Sequence, residues 1–336
     1  MRIDVRAPTR IDLAGGTLDI WPLYLFHDGA VTLNCAISRY ARCSIEFGSP
    51  GPGIELISRD TKRAEKFASI DDLEAAKTYR LPLLAHMVRH FRPQVGFKLT
   101  TDSEAPAGAG IGGSSAIAVA ICMALDRLTG AGLSRFDWIH ISRDIEAIVI
   151  GVPTGTQDHY PPAFGGIQTI HLEPGAERRE PVRISAWELE RRLVLCYSGK
   201  PRQSGINNWK VFQAHINGDR KVRRNFREIS AIAQAMKVAL ERTDWKEMGR
   251  LMRAEWDYRK KNLPSISTPL IDAIIARARK AGALAGKVCG AGGGGCVALL
   301  SEIDNKKQVE KAVAEAGGQL LPVRIDLRGA VLHAEP

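Results

Sequence analysis

Apolar residues alternate with charged and hydroxyl-bearing ones over residues 2–6 and 30–47, and this period of two, with its β-branched content, predicts strands. The period lengthens to the helical 3.6 over 85–91, where Pro93 stops it. Residues 95–101 read as a further strand; after a glycine-rich gap, helical spacing returns over 114–128 and 136–150. Strand-like runs at 164–172 and 191–197 flank a polar connection rich in Glu and Arg. Past them come helical patterns over 207–242 and 244–261, a helix at 269–281 and a second glycine-rich gap. A strand at 296–300, a helix at 305–314 and two short terminal strands complete the chain. Such interleaving predicts an α+β protein in two domains, 1–180 and 181–336.

The first gap carries the strongest chemical signal. It reads Pro106-Ala107-Gly108-Ala109-Gly110-Ile111-Gly112-Gly113-Ser114-Ser115-Ala116 and runs from a strand directly into a helix. Glycine lets the backbone turn its N–H groups toward a ligand, and the first helical turn adds unpaired N–H groups and partial positive charge. A phosphate fits there. Helix capping by Ser114 or Ser115 is the plainer reading of the hydroxyls.

Gly108 to Gly113 also spells G-x-G-x-x-G, but a dinucleotide site wants an acid about 20 residues on at a strand end. Asp126 falls inside a helical pattern instead, so an NAD-dependent dehydrogenase is the remote alternative. A G-x-x-x-x-G-K-[ST] loop is ruled out at Gly282 to Val288, which is one spacer short and has no hydroxyl after Lys287. Gly290-Ala291-Gly292-Gly293-Gly294-Gly295 fills the second gap; a hinge or a close approach of backbone to ligand accounts for it.

Composition adds limits. With 336 residues, 45% hydrophobic and 25% charged, the chain has globular composition. Its longest apolar run, 116–125, is about half of the roughly 20 residues a membrane span needs. No export signal is visible at the N-terminus and the six cysteines form no C-x-x-C pair, so a cytoplasmic protein with reduced thiols is expected. The net charge of +10 raises nucleic acid as a partner. Yet Arg220-Lys221-Val222-Arg223-Arg224 and Arg259-Lys260-Lys261 lie on helical patterns without interleaved aromatics and read as solvated faces; neither nucleic acid nor membrane is expected. His86 and His90 lack the glutamate of H-E-x-x-H and read as ordinary histidines on a helix face.

A third motif, Ala7-Pro8-Thr9-Arg10-Ile11-Asp12-Leu13-Ala14-Gly15-Gly16, precedes the two glycine loops. In this order and spacing the three resemble the GHMP kinases, the family of galactokinase, homoserine kinase, mevalonate kinase and phosphomevalonate kinase. The resemblance implies a two-domain fold, with an N-terminal ribosomal-protein-S5-like domain and a C-terminal ferredoxin-like α/β domain. It also implies transfer of a phosphoryl group from ATP, with Mg2+, to a hydroxyl of a small metabolite. Within the family, the segment Gly155-Thr156-Gln157-Asp158-His159-Tyr160-Pro161-Pro162-Ala163-Phe164-Gly165-Gly166 is similar to the G-x-Q-D-Q-Y segment, ending in F-G-G, of D-glycero-D-manno-heptose 7-phosphate kinases. Ala14 to Asp19 is similar to their A-G-G segment ending in aspartate. His159 and Pro161-Pro162 depart from that pattern, and Gly16 and Thr17 stand where galactokinases carry glutamate and histidine for their sugar.

What the resemblance implies is therefore a sugar or sugar-phosphate substrate, heptose 7-phosphate at its C1 hydroxyl foremost. Another monosaccharide kinase, a mevalonate-type kinase, a decarboxylase using the same ATP chemistry, or a sugar- and ATP-binding sensor are the alternatives. By the same resemblance Pro106, Gly108, Ala109, Gly110, Ile111, Gly112, Gly113, Ser114 and Ser115 hold ATP, and Ser115 with Glu146 holds Mg2+. Asp158 is the base or orienting group for the acceptor hydroxyl and Arg10 its partner; Thr17, Asp19, Gly292 and Gly293 meet the acceptor, beside Trp21 and Tyr24. Lys200 and Arg202 are candidates for a phosphate carried by the substrate. The sequence carries no signal for an oligomeric state.

Overall fold

The computed structural model describes residues 1–48, 53–199 and 204–335. The first part of the chain forms β1 (Arg2–Ala14), β2 (Val31–Phe47), β3 (Ile54–Ser58), β4 (Arg63–Phe67), α1 (Ile70–Ala75), α2 (Pro82–Phe91) and β5 (Phe97–Ser103). Then come α3 (Gly113–Thr129), α4 (Arg135–Ile150), α5 (Tyr160–Phe164), β6 (Ile167–Glu173) and β7 (Ala176–Pro181). The remainder comprises α6 (Ala186–Glu190), β8 (Leu193–Tyr197), α7 (Ser204–Ile216), α8 (Arg220–Glu241), α9 (Trp245–Asn262) and α10 (Pro269–Lys280). It ends with β9 (Ala283–Val288), β10 (Cys296–Ser301), α11 (Lys306–Glu315), β11 (Gln319–Leu320) and β12 (Val331–Glu335).

The first sheet runs β12-β1-β2-β5-β3-β4, with β6 and β7 joined to β2. Strand β2 is long enough to serve two neighbours on one side, residues 31–35 pairing with β6 and 41–47 with β5. Strand β1 outruns its expected end at residue 6 because its alternation continues through the Arg10 motif: Ile11 and Leu13 take one face, Arg10 and Asp12 the other, and all four are buried. Pro8 sits where the register with β2 shifts, a bulge that tolerates a residue without an N–H. Helix α3 buries Ala118, Val119, Ile121 and Leu125 against Ile3, Val5, Cys43 and Ile45 of this sheet.

The second sheet, β11-β8-β10-β9, is antiparallel. Alternation along β10 sends Val297 and Leu299 toward Ile271 and Ile274 of α10 and Val309 and Val313 of α11. It sends Ala298 and Leu300 toward Met236 and Leu240 of α8 and Leu251 of α9. That second cluster also holds Ile11, Leu13 and Leu33, so α8 and α9 are packed into a core shared by both sheets. Each fully buried Leu or Ile there contributes about 1.5–3 kcal/mol.

Three expectations change. The pattern over 207–242 is two helices, broken at Gly218 (φ +89°), after which Asp219 caps α8 through the Val222 N–H. The stretch at 282–288, excluded as a nucleotide loop and given no element by its pattern, is mostly strand β9. The closing strand β12 pairs antiparallel with β1 and so completes the first sheet from within the 181–336 segment. Among the described residues, no helix is long and apolar enough to cross a membrane.

Candidate active site

A cavity of about 440 Å3 opens between the Gly108–Ser115 loop, the Gly16–Ile20 turn after β1, and the Pro153–Asp158 segment before α5. Residues 58–63 and 80–84 form its outer wall. Arg10, Thr17, Asp19, Ser115, Glu146 and Asp158, six of the residues singled out from sequence, all reach it.

The loop meets the cavity through an uncapped helix. Ser69, Ser134, Ser185, Asp219, Asp244 and Thr268 each accept a backbone N–H at the start of α1, α4, α6, α8, α9 and α10. Helix α3 has Gly112 at this position instead, at φ +73° and with no side-chain cap. The N–H groups of Gly113, Ser114 and Ser115 therefore face the cavity without intrahelical acceptors. Ser115 caps nothing: its hydroxyl donates to Oε2 of Glu146 at 2.8 Å. Ile111 lies off the cavity, its side chain in the core and its carbonyl accepting the Arg10 N–H at 2.9 Å.

The second glycine loop braces the first. Cys296 N–H donates to the Ala109 carbonyl at 2.7 Å, and a Cβ on Gly295 would lie 2.6 Å from that oxygen. Gly290 and Ala291 line the cavity, but Gly292 and Gly293, expected at the acceptor, pack on Ile266 and Asn207. Their positions correct that assignment: the Ile266 carbonyl already takes the Gly293 N–H at 2.7 Å.

Arg10 is almost wholly buried. Its Nε donates to Oδ1 of Asp158 at 2.8 Å, Nη2 stands 2.6 Å from the same oxygen, and Nη1 donates to the Gly110 carbonyl at 2.8 Å. Burial opposes the guanidinium charge, but Asp158 and Asp12 more than offset it, so its pKa is raised. Asp12, two residues on and on the same strand face, receives Lys287 Nζ at 2.8 Å and lies 3.8 Å from Arg259 Nη1. Against the effect of burial, Lys287, Arg10 and Arg259 hold its carboxyl well below the usual carboxylate range. Lys287 also donates to Glu255 at 2.6 Å, and Glu255 accepts the Gly15 N–H at 3.0 Å. The Arg259 guanidinium donates to the Gly290 carbonyl. Arg259 is thus buried at the site and not on a solvated face, because α9 turns it inward while Lys261 stays exposed.

On the side of the cavity expected to take the acceptor, Asp19 is 3% exposed and takes the Gln157 N–H at 2.9 Å and its Nε2 at 3.2 Å. Gly155 makes this possible: a Cβ there would lie 2.1 Å from Asp19 Oδ2. Burial, with the neighbouring Asp158, pushes the Asp19 carboxyl up to about 7. Thr17 adopts φ +78°, a strained conformation for a β-branched residue, and its hydroxyl donates to Asn208 of α7 at 3.4 Å. Trp21 is exposed and Tyr24 is in the core; neither borders the cavity.

Glu146 projects from α4, whose start is fixed by the reciprocal Ser134–Asp137 capping box. His159, fully buried, places Nε2 3.0 Å from the Glu146 carboxylate. Burial acts to raise this carboxyl, but His159, Ser114 and Ser115 bring it below its ordinary value. Pro161 and Pro162 occupy the first turn of α5, where a missing N–H is tolerated. Among the described residues no group of three or more His, Cys, Asp or Glu could hold a metal. Ser115 Oγ and Glu146 form a two-oxygen set of the kind that suits Mg2+ completed by phosphate oxygens and water. Lys200 and Arg202 lie outside the described residues.

Asp12 and Gln157 stand inside motifs already visible in sequence, two residues from Arg10 and one from Asp158. Glu255, Arg259, Lys287 and Asn208 carried no local signal; only the packing of α9, β9 and α7 brings them in.

Comparison with known proteins identifies the family of the chain. The family models for the GHMP kinases N terminal domain and GHMP kinases C terminal match residues 78–166 and 236–319. The chain is 28% identical to D-glycero-alpha-D-manno-heptose 7-phosphate kinase of Campylobacter jejuni over 94% of each sequence. It is 30% identical to mevalonate kinase of Pyrococcus furiosus over 71% of this chain and 69% of that protein. A D-glycero-D-manno-heptose 1-phosphate kinase from Bacteroides thetaiotaomicron superposes with a TM-score of 0.78 at 28% identity, covering 99% of both chains. With the uncapped α3 loop, the Arg10–Asp158 pair and the bracing glycine loop in one cavity, the chain belongs to the GHMP kinase family.

Proposed function

We propose that the protein transfers the γ-phosphoryl group of Mg-ATP to a hydroxyl of a sugar or sugar phosphate, with D-glycero-D-manno-heptose 7-phosphate at C1 as the preferred acceptor. The observation that carries this reading is the Arg10–Asp158 pair, set between the uncapped start of α3 and the Asp19–Gln157 contact. Phosphoryl transfer asks for a held triphosphate, neutralised charge and an acceptor oxygen aimed in line. The loop N–H groups supply the cradle. Ser115 and Glu146 would hold Mg2+, which when bound supplies neutralisation of the phosphate charge. Arg10, fixed by Gly110 and Asp158, is a preorganised cation beside the transferred group. Asp158, 27% exposed where Arg10 is 1%, presents a carboxylate to the acceptor hydroxyl and orients or accepts its proton.

Asp19 and Thr17 favour a polyhydroxylated acceptor, because a carboxyl near its midpoint at neutral pH both donates to and accepts from hydroxyls. The likeness to the heptose kinase over 94% of both chains supports the same choice. The likeness to a mevalonate kinase over a shorter span favours mevalonate as the second reading.

ADP release measured over heptose 7-phosphate, unphosphorylated aldoses and mevalonate, with Asp158→Asn as control, tests this. Turnover with the heptose phosphate and a C1-phosphate product is expected. Turnover with mevalonate alone selects the second reading; ATP binding without turnover on any acceptor overturns the kinase reading.

A further inference from the structure

A second cleft, of about 620 Å3, lies apart from the catalytic cavity, between the Leu23–Phe26 turn, the end of α7 and the start of α8. Arg220, Arg223, Arg224 and Arg227 line it at i, i+3, i+4 and i+7, one stripe of a helix. Lys221 adds a fifth cation, and among the described residues no carboxylate lines the cleft.

This arrangement is unfavourable by itself. Like charges at i+3 and i+4 repel, and the stripe begins in the first turn of α8, at the positive pole, where no acidic residue stands. Among the described residues none of the five makes an ion pair. Asp219 spends its carboxylate on the Val222 N–H, and neither Asp28 nor Glu228 lines the cleft. Arg223 donates to the carbonyls of His215 and Ile216, tying α8 to α7, while the stripe's other arginines remain uncommitted.

A second, independent feature marks the floor. His27 and His215 meet Nε2 to Nε2 at 2.9 Å with 6% and 1% of their surface exposed, and both Nδ1 atoms are buried without a hydrogen-bond partner. Phe26, 54% exposed at the rim, contributes an aromatic face beside His215.

We propose that this cleft binds a nucleoside di- or triphosphate, its phosphates on the arginine stripe and its ring system against Phe26. Seven residues of helix span about 10 Å, which suits a chain of phosphates with its sugar better than a single phosphate. Three or four negative charges match the uncommitted cations. Base–aromatic stacking needs only an exposed ring face. Helix α7 links this cleft to the first: His215 closes one, and Asn208, two turns earlier, lines the other beside Thr17. Occupancy thus fixes the helix that touches the acceptor side.

Isothermal titration of the full chain with GDP, and separately with inorganic tripolyphosphate, tests this by the number of equivalents bound, compared between the parent and variants of the stripe that leave the catalytic cavity intact. The parent should bind one equivalent of GDP that the Arg224→Gln/Arg227→Gln double variant binds at least tenfold more weakly and Arg224→Glu/Arg227→Glu does not measurably bind, whatever either variant binds in the catalytic cavity. Both variants should keep their ATP affinity, since these side chains are exposed and outside the catalytic cavity, and should unfold at a thermal midpoint no lower than the parent's, since like-charge repulsion is relieved. GDP should also slow hydrogen exchange at residues 207–216 in the parent chain but not in the variants. The proposal is overturned if neither probe binds, if the variants bind GDP as the parent does, or if sodium sulfate at equal ionic strength competes GDP away. It is also overturned if duplex DNA or phosphatidylserine vesicles bind through the stripe while GDP does not.

Discussion

Lys287 and Asp12 meet at 2.8 Å with both side chains wholly withdrawn from solvent, and the same ammonium reaches Glu255 at 2.6 Å. One cation thus serves two buried carboxylates and ties β9 to β1 and α9. Lys287→Met keeps the length of the side chain and removes the charge, leaving both carboxylates short of a partner. Breaking a buried ion pair this way costs about 3–5 kcal/mol, so the urea midpoint should fall steeply. A loss below about 1 kcal/mol, the level of an exposed pair, would mean that Arg10 and Arg259 already satisfy Asp12.

This network also shows what a sequence conceals. The Pro106–Ala116 loop was legible because glycine conformations, hydroxyls and a following helix are neighbours along the chain. The tie between Arg10 and Asp158, 148 residues apart, was visible only through resemblance to a family. Lys287 looked like the failed end of a phosphate loop and Arg259 like one more charge in a basic run. Both are buried by contacts between α9, β9 and β1 that leave no periodic trace. The same holds for β12, whose alternation fits any sheet edge but whose partner is β1.

Asp158→Asn keeps the size of the side chain and one acceptor for Arg10, but cannot take a proton. Loss of a positioned general base typically costs about 10²–10⁴ in rate, so kcat should fall within that range while ATP affinity stays within about threefold. A kcat within about fivefold of the parent would reduce Asp158 to a structural partner of Arg10.

His159 touches Glu146 and not the cavity, which makes it a positioning residue for the Mg2+ ligand proposed at Glu146. Outer partners of ligating groups typically affect metal affinity by about 10–100-fold. His159→Leu should raise the Mg2+ concentration giving half-maximal activity by about tenfold, and His159→Gln, which still donates to a carboxylate, should recover most of it. Equal Mg2+ dependence in all three proteins would show that Ser115 alone orients Glu146.

The raised Asp19 carboxyl gives a pH dependence of defined sign. Its value of about 7 in the fold stands above the ordinary 3.8, so between those limits the native state holds a proton the unfolded state lacks. Its contribution to stability is complete below about pH 4 and is lost as pH rises through about 7. Urea unfolding of the parent and Asp19→Asn should show a stability difference that declines across that window and levels above about pH 8. A difference flat from about pH 4 to 8 would return Asp19 to an ordinary carboxylate.

In the proposed site, substitution at Gly155 should separate acceptor binding from nucleotide binding. A Cβ at this position would stand 2.1 Å from Asp19 Oδ2 and 2.7 Å from its Cγ, closer than such atoms pack, so Gly155→Ala must displace the Asp19 carboxylate. That carboxylate is held by two donors of Gln157, whose side chain is anchored in turn by Thr32 at 2.7 Å. The strain therefore falls on Asp19 and the Gly155–Gln157 backbone, away from the uncapped start of α3. The acceptor KM should rise about tenfold or more, the loss expected when one buried hydrogen-bond partner is misplaced. The ATP KM should stay within about twofold, because no donor of the phosphate cradle moves. If both constants rise together, the two halves of the cavity are mechanically joined through Asp158, and Asp19 cannot be treated as an acceptor residue alone.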